Sequence, residues 1–198
     1  MTDPDYAKRM ANKKAARDRM MEKKTEAKGL LIVHTGPGKG KTTAALGMAL
    51  RMLGHGKKVG IVQFVKGAKE TAERKALEAF GELVEIRALG EGFSWETQDR
   101  ERDIAAAQKA FTLAKTMMSD EIYAMVILDE LNITLRYDQL PLDEVLEAIA
   151  ARPRGQHVVV TGRNAPEALI EAADLVTEMS LVKHPFKAGI KAQAGVEF

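Results

Sequence analysis

The sequence predicts an α/β fold: a mainly parallel sheet flanked by helices on both faces, preceded by a basic N-terminal helix. Three observations predict it. Short, almost wholly apolar runs recur from residue 30 to about residue 179, and strands buried on both faces of a parallel sheet read as such runs rather than as alternating patterns. Amphipathic helical stretches separate them, the alternation that crossover connections turn into a parallel sheet. One apolar run, beginning at Leu30, leads directly into a glycine-rich turn and then a helix.

The elements follow in order. Residues 5–27 lack Gly and Pro and are rich in Ala, Lys, Arg, Met and Glu, all good helix formers. Their apolar positions, Met10, Met20 and Met21, are too sparse to build a core, so this helix packs on the domain or on a partner subunit, and Gly29 breaks it. Strands are expected at residues 30–33, 59–64, 83–86, 123–128 and 157–160, with a weaker sixth pattern at 175–179. A helix beginning at Thr42 follows the glycine loop and stops at Gly54, a common C-terminal signal. Residues 96–118 carry Ile104, Ala107, Phe111, Ala114 and Met118 at three- and four-residue steps, so one stripe faces the sheet. Pro141 opens another helix, with Asp143 and Glu144 in its first turn and Leu142, Val145, Leu146 and Ile149 on one face. Asn164 and Glu167 have the spacing of a capping box, with Pro166 inside the first turn. No internal repeat is present.

Composition narrows the function classes. Of 198 residues, 45% are hydrophobic and 29% charged, which suits one core of ordinary domain size under a well-wetted surface. The chain has no cysteine, so neither a disulfide framework nor a thiolate metal site is possible. No run approaches the roughly 20 consecutive apolar residues of a membrane span, and the N-terminus lacks an apolar secretory core. A cytoplasmic location without a membrane partner is therefore expected. The histidines, His34, His55, His157 and His184, are scattered without metal-ligand spacing and read as structural. The net charge of +2 is unevenly placed: residues 1–28 hold nine Lys/Arg and five Asp/Glu, a surplus of four, which leaves −2 for the rest. Such an arm reads as a solvated helical face, or as a lid carrying positive charge toward an anion. The near-neutral remainder speaks against a nucleic-acid partner, which calls for a strong basic face.

The chemistry begins at Gly36-Pro37-Gly38-Lys39-Gly40-Lys41-Thr42-Thr43. Glycines let the backbone curl with its N–H groups inward, and the N-terminus of the following helix adds partial positive charge, so the turn is a phosphate cradle. Lys41 is placed to bridge phosphate oxygens and the Thr42 hydroxyl to ligate Mg²⁺. The spacing departs from the usual P-loop, because Gly36 is followed by three residues rather than four before Gly40-Lys41-Thr42, leaving Thr35 at the usual first-glycine position. The run ending at Leu128 continues into Asp129 and Glu130. One carboxylate can hold Mg²⁺ directly or through water, while the other can orient a water or polarise a ligand hydroxyl. Thr161-Gly162-Arg163 follows a further strand. In open α/β sheets the strand C-terminal ends form the ligand crevice, and there the planar fork of Arg163 can pair with phosphate oxygens. The reading is a RecA-like P-loop fold, with residues 29–198 as the nucleotide-binding domain and 1–28 as a basic helix serving as lid or partner contact.

Gly92-Phe93-Ser94-Trp95-Glu96-Thr97 places a Phe and the single Trp two apart in a glycine-flanked loop of a chain only 5% aromatic. The pair either packs under the loop or forms a platform for a flat ligand. Together with Gln63-Phe64-Val65-Lys66-Gly67, Leu128-Asp129-Glu130-Leu131, Thr161-Gly162-Arg163 and the tail from Val182 to Gln193, these motifs give the chain its family likeness. It resembles the P-loop ATP:corrinoid adenosyltransferases, also called cob(I)yrinic acid a,c-diamide adenosyltransferases. The resemblance spans nearly the whole chain, and the shortened glycine loop is itself a mark of that family. It lacks the Trp and Gly that many members carry within 68–74.

The resemblance implies transfer of the 5′-deoxyadenosyl group of ATP to the cobalt(I) of a corrinoid, with release of triphosphate, in adenosylcobalamin biosynthesis or salvage. Cobalt(I) is itself a strong nucleophile, so the protein need supply no catalytic base; it must align C5′ with cobalt and stabilise charge on the leaving triphosphate. Lys39, Lys41, Mg²⁺ on Thr42, and Arg163 are the groups assigned to that charge, with Asp129 and Glu130 as further metal-facing groups. ATP is expected to lie in the loop with reversed polarity relative to ordinary P-loop kinases. Phe93 and Trp95 match the aromatics bordering the corrinoid (cobalamin, cobinamide or cobyrinic acid diamide), where they are thought to displace the lower axial ligand. A homodimer and an electron-donating reductase or flavoprotein are also implied. Read from the residues alone, a P-loop phosphotransferase or ATPase and a non-catalytic nucleotide-binding module remain alternatives.

Overall fold

The computed structural model describes residues 4–65, 71–90 and 99–196. Six strands, β1 (Leu31–Thr35), β2 (Lys58–Gln63), β3 (Val84–Ala88), β4 (Tyr123–Asp129), β5 (His157–Thr161) and β6 (Leu175–Glu178), form one sheet in the order β3-β2-β4-β5-β1-β6. Every pairing is parallel. The helices are α1 (Pro4–Glu22), α2 (Lys41–Gly54), α3 (Ala72–Glu78), α4 (Arg100–Ser119), α5 (Leu131–Arg136), α6 (Leu142–Ala150) and α7 (Glu167–Ala172). The strand bearing the glycine loop and the strand bearing Asp129 are separated by one inserted strand, β5, and the expected α/β class is observed.

Side-chain parity along the strands sorts the core into two layers. Ile32, Val59, Ile61, Met125, Ile127 and Val159 pack with Ala45, Ala49 and Leu53 of α2 and Leu77 of α3. Leu31, Val33, Val62, Val126, Leu128, Val158 and Val160 pack with Phe111, Ala114 and Met118 of α4, Leu135 of α5, Val145 and Ile149 of α6, and Leu169 of α7. Chain direction explains the split. From β1 the chain moves to β2 and β3 on one side; after β3 it turns back to β4, β5 and β6. Right-handed crossovers then put α2 and α3 on one face and the later helices on the other.

The inner strands run past their apolar stretches into polar residues. β1 reaches Thr35, β4 Asp129 and β5 Thr161, while β2 ends at Gln63. The ladder pairs His34 with Thr161, Leu128 with Val160 and Gln63 with Asp129, so His34, Thr161, Asp129 and Gln63, from four strands, stand level at one end of the sheet. The weak sixth strand is real. It closes the edge beside β1, and all four of its residues are exposed, which is why its apolar pattern is diluted.

Two expectations are corrected. The basic helix stops at Glu22, not residue 27, and Gly29 does not end it. The chain must already be extended by residue 29, where Gly29 N–H donates to Arg154 O at 2.6 Å and Arg152 Nη2 donates to Gly29 O at 3.2 Å. Thr25, a poor helix former, eases the earlier exit. Gly29 is instead required by close approach: a Cβ there would lie 2.0 Å from Gln156 O. The second correction is the capping box. Asn164 is left-handed at φ 55°, Pro166 takes the N-cap position and no side chain caps α7. The loop is diverted because Ala165 N–H donates to Thr35 Oγ1 at 3.1 Å.

The base of β1 depends on an uncharged histidine. Leu30 N–H donates to His157 Nδ1 at 3.1 Å, and burial, followed by the charges of Lys57 and Arg152, holds this imidazole below its ordinary value of 6.5. The unfolded chain therefore binds the proton first. The contribution to stability is complete above pH 6.5 and is lost as pH falls through the depressed folded value. Thermal unfolding from pH 7.5 to 5 is expected to show a falling Tm in the native protein. His157→Asn, whose side-chain oxygen can still accept, should show a flatter profile; equal slopes would remove His157 from the explanation.

Candidate active site

The glycine loop connects β1 to α2 and is shaped from both sides. Gly36 and Gly40 have φ of 93° and 100°, a left-handed region where a side chain is strained. From inside, the Lys41 ammonium donates to Gly36 O at 2.9 Å and Gly38 O at 2.5 Å. From outside, the residues after β6 press on the loop: Met179 N–H donates to Thr35 O and Gly38 N–H donates to Met179 O at 2.6 Å. One loop N–H is thus directed at this strap rather than inward. Pro37, Lys39, Gly40 and Thr43 are exposed at the rim. Gly40 occupies the N-cap of α2 without a side-chain cap, so the first N–H groups of that 14-residue helix remain available to an anion.

Beside the loop lies a carboxylate with 0% exposure, Asp129. Its Oδ1 accepts from Thr42 Oγ1 and Thr161 Oγ1, both at 2.8 Å, and its Oδ2 accepts from Gln63 Nε2 at 3.1 Å. These donors come from α2, β5 and β2 and all are neutral. Glu130 follows in the left-handed region at φ 63° and ψ 21°, a conformation that costs a side-chain-bearing residue about 1–2 kcal/mol. Its N–H is satisfied by Thr161 Oγ1 at 2.8 Å.

Charges converge on Lys41. Burial lowers its pKa from the ordinary lysine value, the Glu130 carboxylate opposes that shift, and the Arg163 guanidinium adds to it. Of the residues singled out from sequence, the structure thus gathers Lys41, Thr42, Asp129, Glu130 and Arg163 around the glycine loop. Phe93 and Trp95, with Lys66 and Gly67, lie outside the described residues. The sequence alone assigns no individual role to Gln63, Thr161 or Met179. The signal for the first two was the one that found Asp129, a polar residue closing an apolar strand. The strap at Met179 has no local signal, because its contact is made by backbone. His34 behaves as a structural residue, its Nδ1 lying 3.3 Å from Lys41 O.

Comparison with known proteins decides the family. Residues 27–198 match the family described as ATP:corrinoid adenosyltransferase BtuR/CobO/CobP. A corrinoid adenosyltransferase of Sinorhizobium sp. is 56% identical over 99% of this chain and 92% of its own length. Another, from Pseudomonas aeruginosa, is 55% identical over 99% and 97%, and one from Escherichia coli K12 is 46% identical over the whole of both chains. The chain belongs to the corrinoid adenosyltransferase family. Family membership agrees with the resemblance carried by the glycine loop, and the short loop is the form this member folds. Among the described residues no helix is long and apolar enough to cross a membrane.

The strap makes a specific demand on the loop. A Cβ on residue 38 would lie 2.6 Å from Met179 O and 2.7 Å from Ser180 O, both backbone atoms that cannot swing aside. Gly38→Ala is expected to destabilise the protein by about 1–3 kcal/mol, the usual cost of overpacking. Denaturant unfolding measures this, and a stability within error of the native protein would show that the strap yields freely.

Proposed function

We propose that this protein transfers the 5′-deoxyadenosyl group of ATP to the cobalt(I) centre of a reduced corrinoid and releases inorganic triphosphate. The observation that carries the reading is the assembly of Lys41, the α2 N-terminus, Thr42 and the Asp129–Glu130 pair around one short glycine loop, in a member of this family. The α2 N–H groups, Lys41, Lys39 and Arg163 are the cations and dipoles for a polyphosphate whose charge grows as the C5′–oxygen bond breaks. Three donors already engage the Asp129 carboxylate, which suits a positioning role better than proton abstraction. A reaction whose nucleophile is the corrinoid's own cobalt needs no protein base.

Mg²⁺ fits the donor set. A buried carboxylate held, among the described residues, by neutral donors alone, with a hydroxyl beside it, is hard-oxygen chemistry suited to a small dication. The Thr42 hydroxyl donates its hydrogen bond to Asp129, which leaves its oxygen lone pairs for the ion, and Glu130 supplies a second carboxylate. Bound there, Mg²⁺ would offset charge on the triphosphate oxygens.

The proposal extends to the surroundings. Phe93 and Trp95 wall the corrinoid, favouring a cobalt stripped of its lower ligand, and a flavoprotein or other reductase supplies the electron. The protein acts as a homodimer. Support for this comes from α1, which is exposed along nearly its whole length, and from the exposed edge strand β6 with Leu175 and Val176. An exposed edge strand offers unpaired backbone groups to a second chain, and a basic helix left off the core is free to reach across to one. We place the protein in the cytoplasm, where its reductant and ATP are found together.

The test is an anaerobic incubation with Mg²⁺-ATP and chemically reduced cob(I)alamin. A light-sensitive cobalt–carbon absorbance and triphosphate should appear together; ADP or orthophosphate with unchanged corrinoid would overturn the reading in favour of phosphoryl transfer. Lys41→Ala is expected to lower kcat/KM by about 10²–10³-fold, the scale seen when one preorganised transition-state donor is removed. Asp129→Asn should keep the fold, because the Gln63 amide can turn over to meet the new NH₂, while losing most of its Mg²⁺-dependent turnover. Replacing Phe93 and Trp95 together by Ala should abolish the four-coordinate cobalt(II) spectrum on corrinoid binding and leave ATP affinity unchanged.

A further inference from the structure

We infer that Thr161 is a positioning residue that sets both carboxylates of the site through one hydroxyl. It closes β5, the strand between the glycine-loop strand and the acidic strand, and is fully buried. Its Oγ1 donates to Asp129 Oδ1 at 2.8 Å and accepts from Glu130 N–H at 2.8 Å. The first bond fills one of the two acceptor directions of Oδ1; the Thr42 hydroxyl fills the other. The orientation of the Thr42 proton, and so of its lone pairs, is therefore shared with Thr161. The second bond caps the N–H of a residue in the left-handed region, the conformation in which Glu130 bears electrostatically on Lys41.

A hydroxyl is what this position requires. The two groups it serves have opposite needs, an acceptor for the N–H and a donor for the carboxylate, and a threonine or serine oxygen meets both at once. Valine has the same shape and meets neither. It would leave a buried carboxylate oxygen one donor short and a backbone N–H without a partner, with packing unchanged. The consequence falls on the cation and the Lys41–Glu130 pair rather than on the corrinoid side. This inference rests on the proposed Mg²⁺-ATP site, but not on the identity of the group transferred.

The experiment compares native protein with Thr161→Val, Thr161→Ser and Ile149→Ala, the last a fully buried α6 core residue away from the site. Mg²⁺ is titrated against binding of a fluorescent ATP analogue, and adenosyl transfer is followed in parallel with corrinoid concentration varied. Thr161→Val is expected to raise the Mg²⁺ midpoint by about tenfold or more, as outer partners of metal ligands do when removed. It should lower kcat while leaving the corrinoid KM unchanged. Thr161→Ser should restore the midpoint, and Ile149→Ala should lower Tm without moving it. A Thr161→Val midpoint within about twofold of native, or one matched by Ile149→Ala, overturns the inference. If Thr161→Val does not fold, Thr161→Ala carries the same comparison. Failure of the native protein to transfer adenosyl would count against the proposed function alone, since the Mg²⁺ midpoints for nucleotide binding still decide the role of Thr161.

Discussion

Asp129 carries a negative charge at a place with no solvent exposure, and burying a carboxylate is costly unless donors replace the lost water. The structure answers with Thr42, Thr161 and Gln63. These three side chains belong to α2 behind the glycine loop, to β5 and to β2. The sheet order and the loop conformation are thus drawn to one point, because each donor must arrive in register. The pairing of Gln63 with Asp129, and of Leu128 with Val160 one residue below Asp129 and Thr161, brings them level. A slip of one residue in any of these strands would turn its donor to the opposite face of the sheet.

This constraint also accounts for the composition of the strand ends. The interiors of β1, β4 and β5 are apolar on both sides, as the two core layers require. Polarity begins only where the strands emerge from under the helices. The site is therefore built on buried strand ends, with exposed parts around them: the loop rim at Pro37, Lys39 and Gly40, the edge strand, and the N-terminal helix. Precise placement of charge beside a polyphosphate calls for such buried, hydrogen-bonded support, since a misplacement of about an ångström can forfeit much of the rate.

The glycine loop illustrates how tertiary contacts recast a local motif. Gly36 and Gly38 would be expected in any phosphate-binding turn. Here their lack of a side chain also admits the backbone of Met179 and Ser180, so the segment after an edge strand far along the chain sets the outer limit of the cradle. The strap directs one loop N–H outward. That arrangement and the shortened spacing together make this cradle unlike the longer P-loop from which the motif is usually read.

Much was legible without coordinates, for a physical reason in each case. Short continuous apolar runs alternating with helical stretches read as strands buried on two faces, and a glycine turn before a helix offers N–H groups to an anion, so the parallel sheet, the glycine turn and the placing of Lys41, Thr42, Asp129 and Glu130 at strand and loop ends follow from local chemistry. The full extent of α1, the cap of α7, the strap at Met179 and the tasks of Gln63 and Thr161 did not. They depend on partners 31 to 146 residues away, such as Glu130 with Thr161 and Lys28 with Asp174. Periodicity and propensity describe what a segment prefers alone; sheet order and register decide which distant group it meets. The sequence by itself determined the fold class, the polar strand ends and the chemistry available at them. Only the tertiary structure decided which hydroxyl faces which carboxylate, because that depends on three strands meeting at one level.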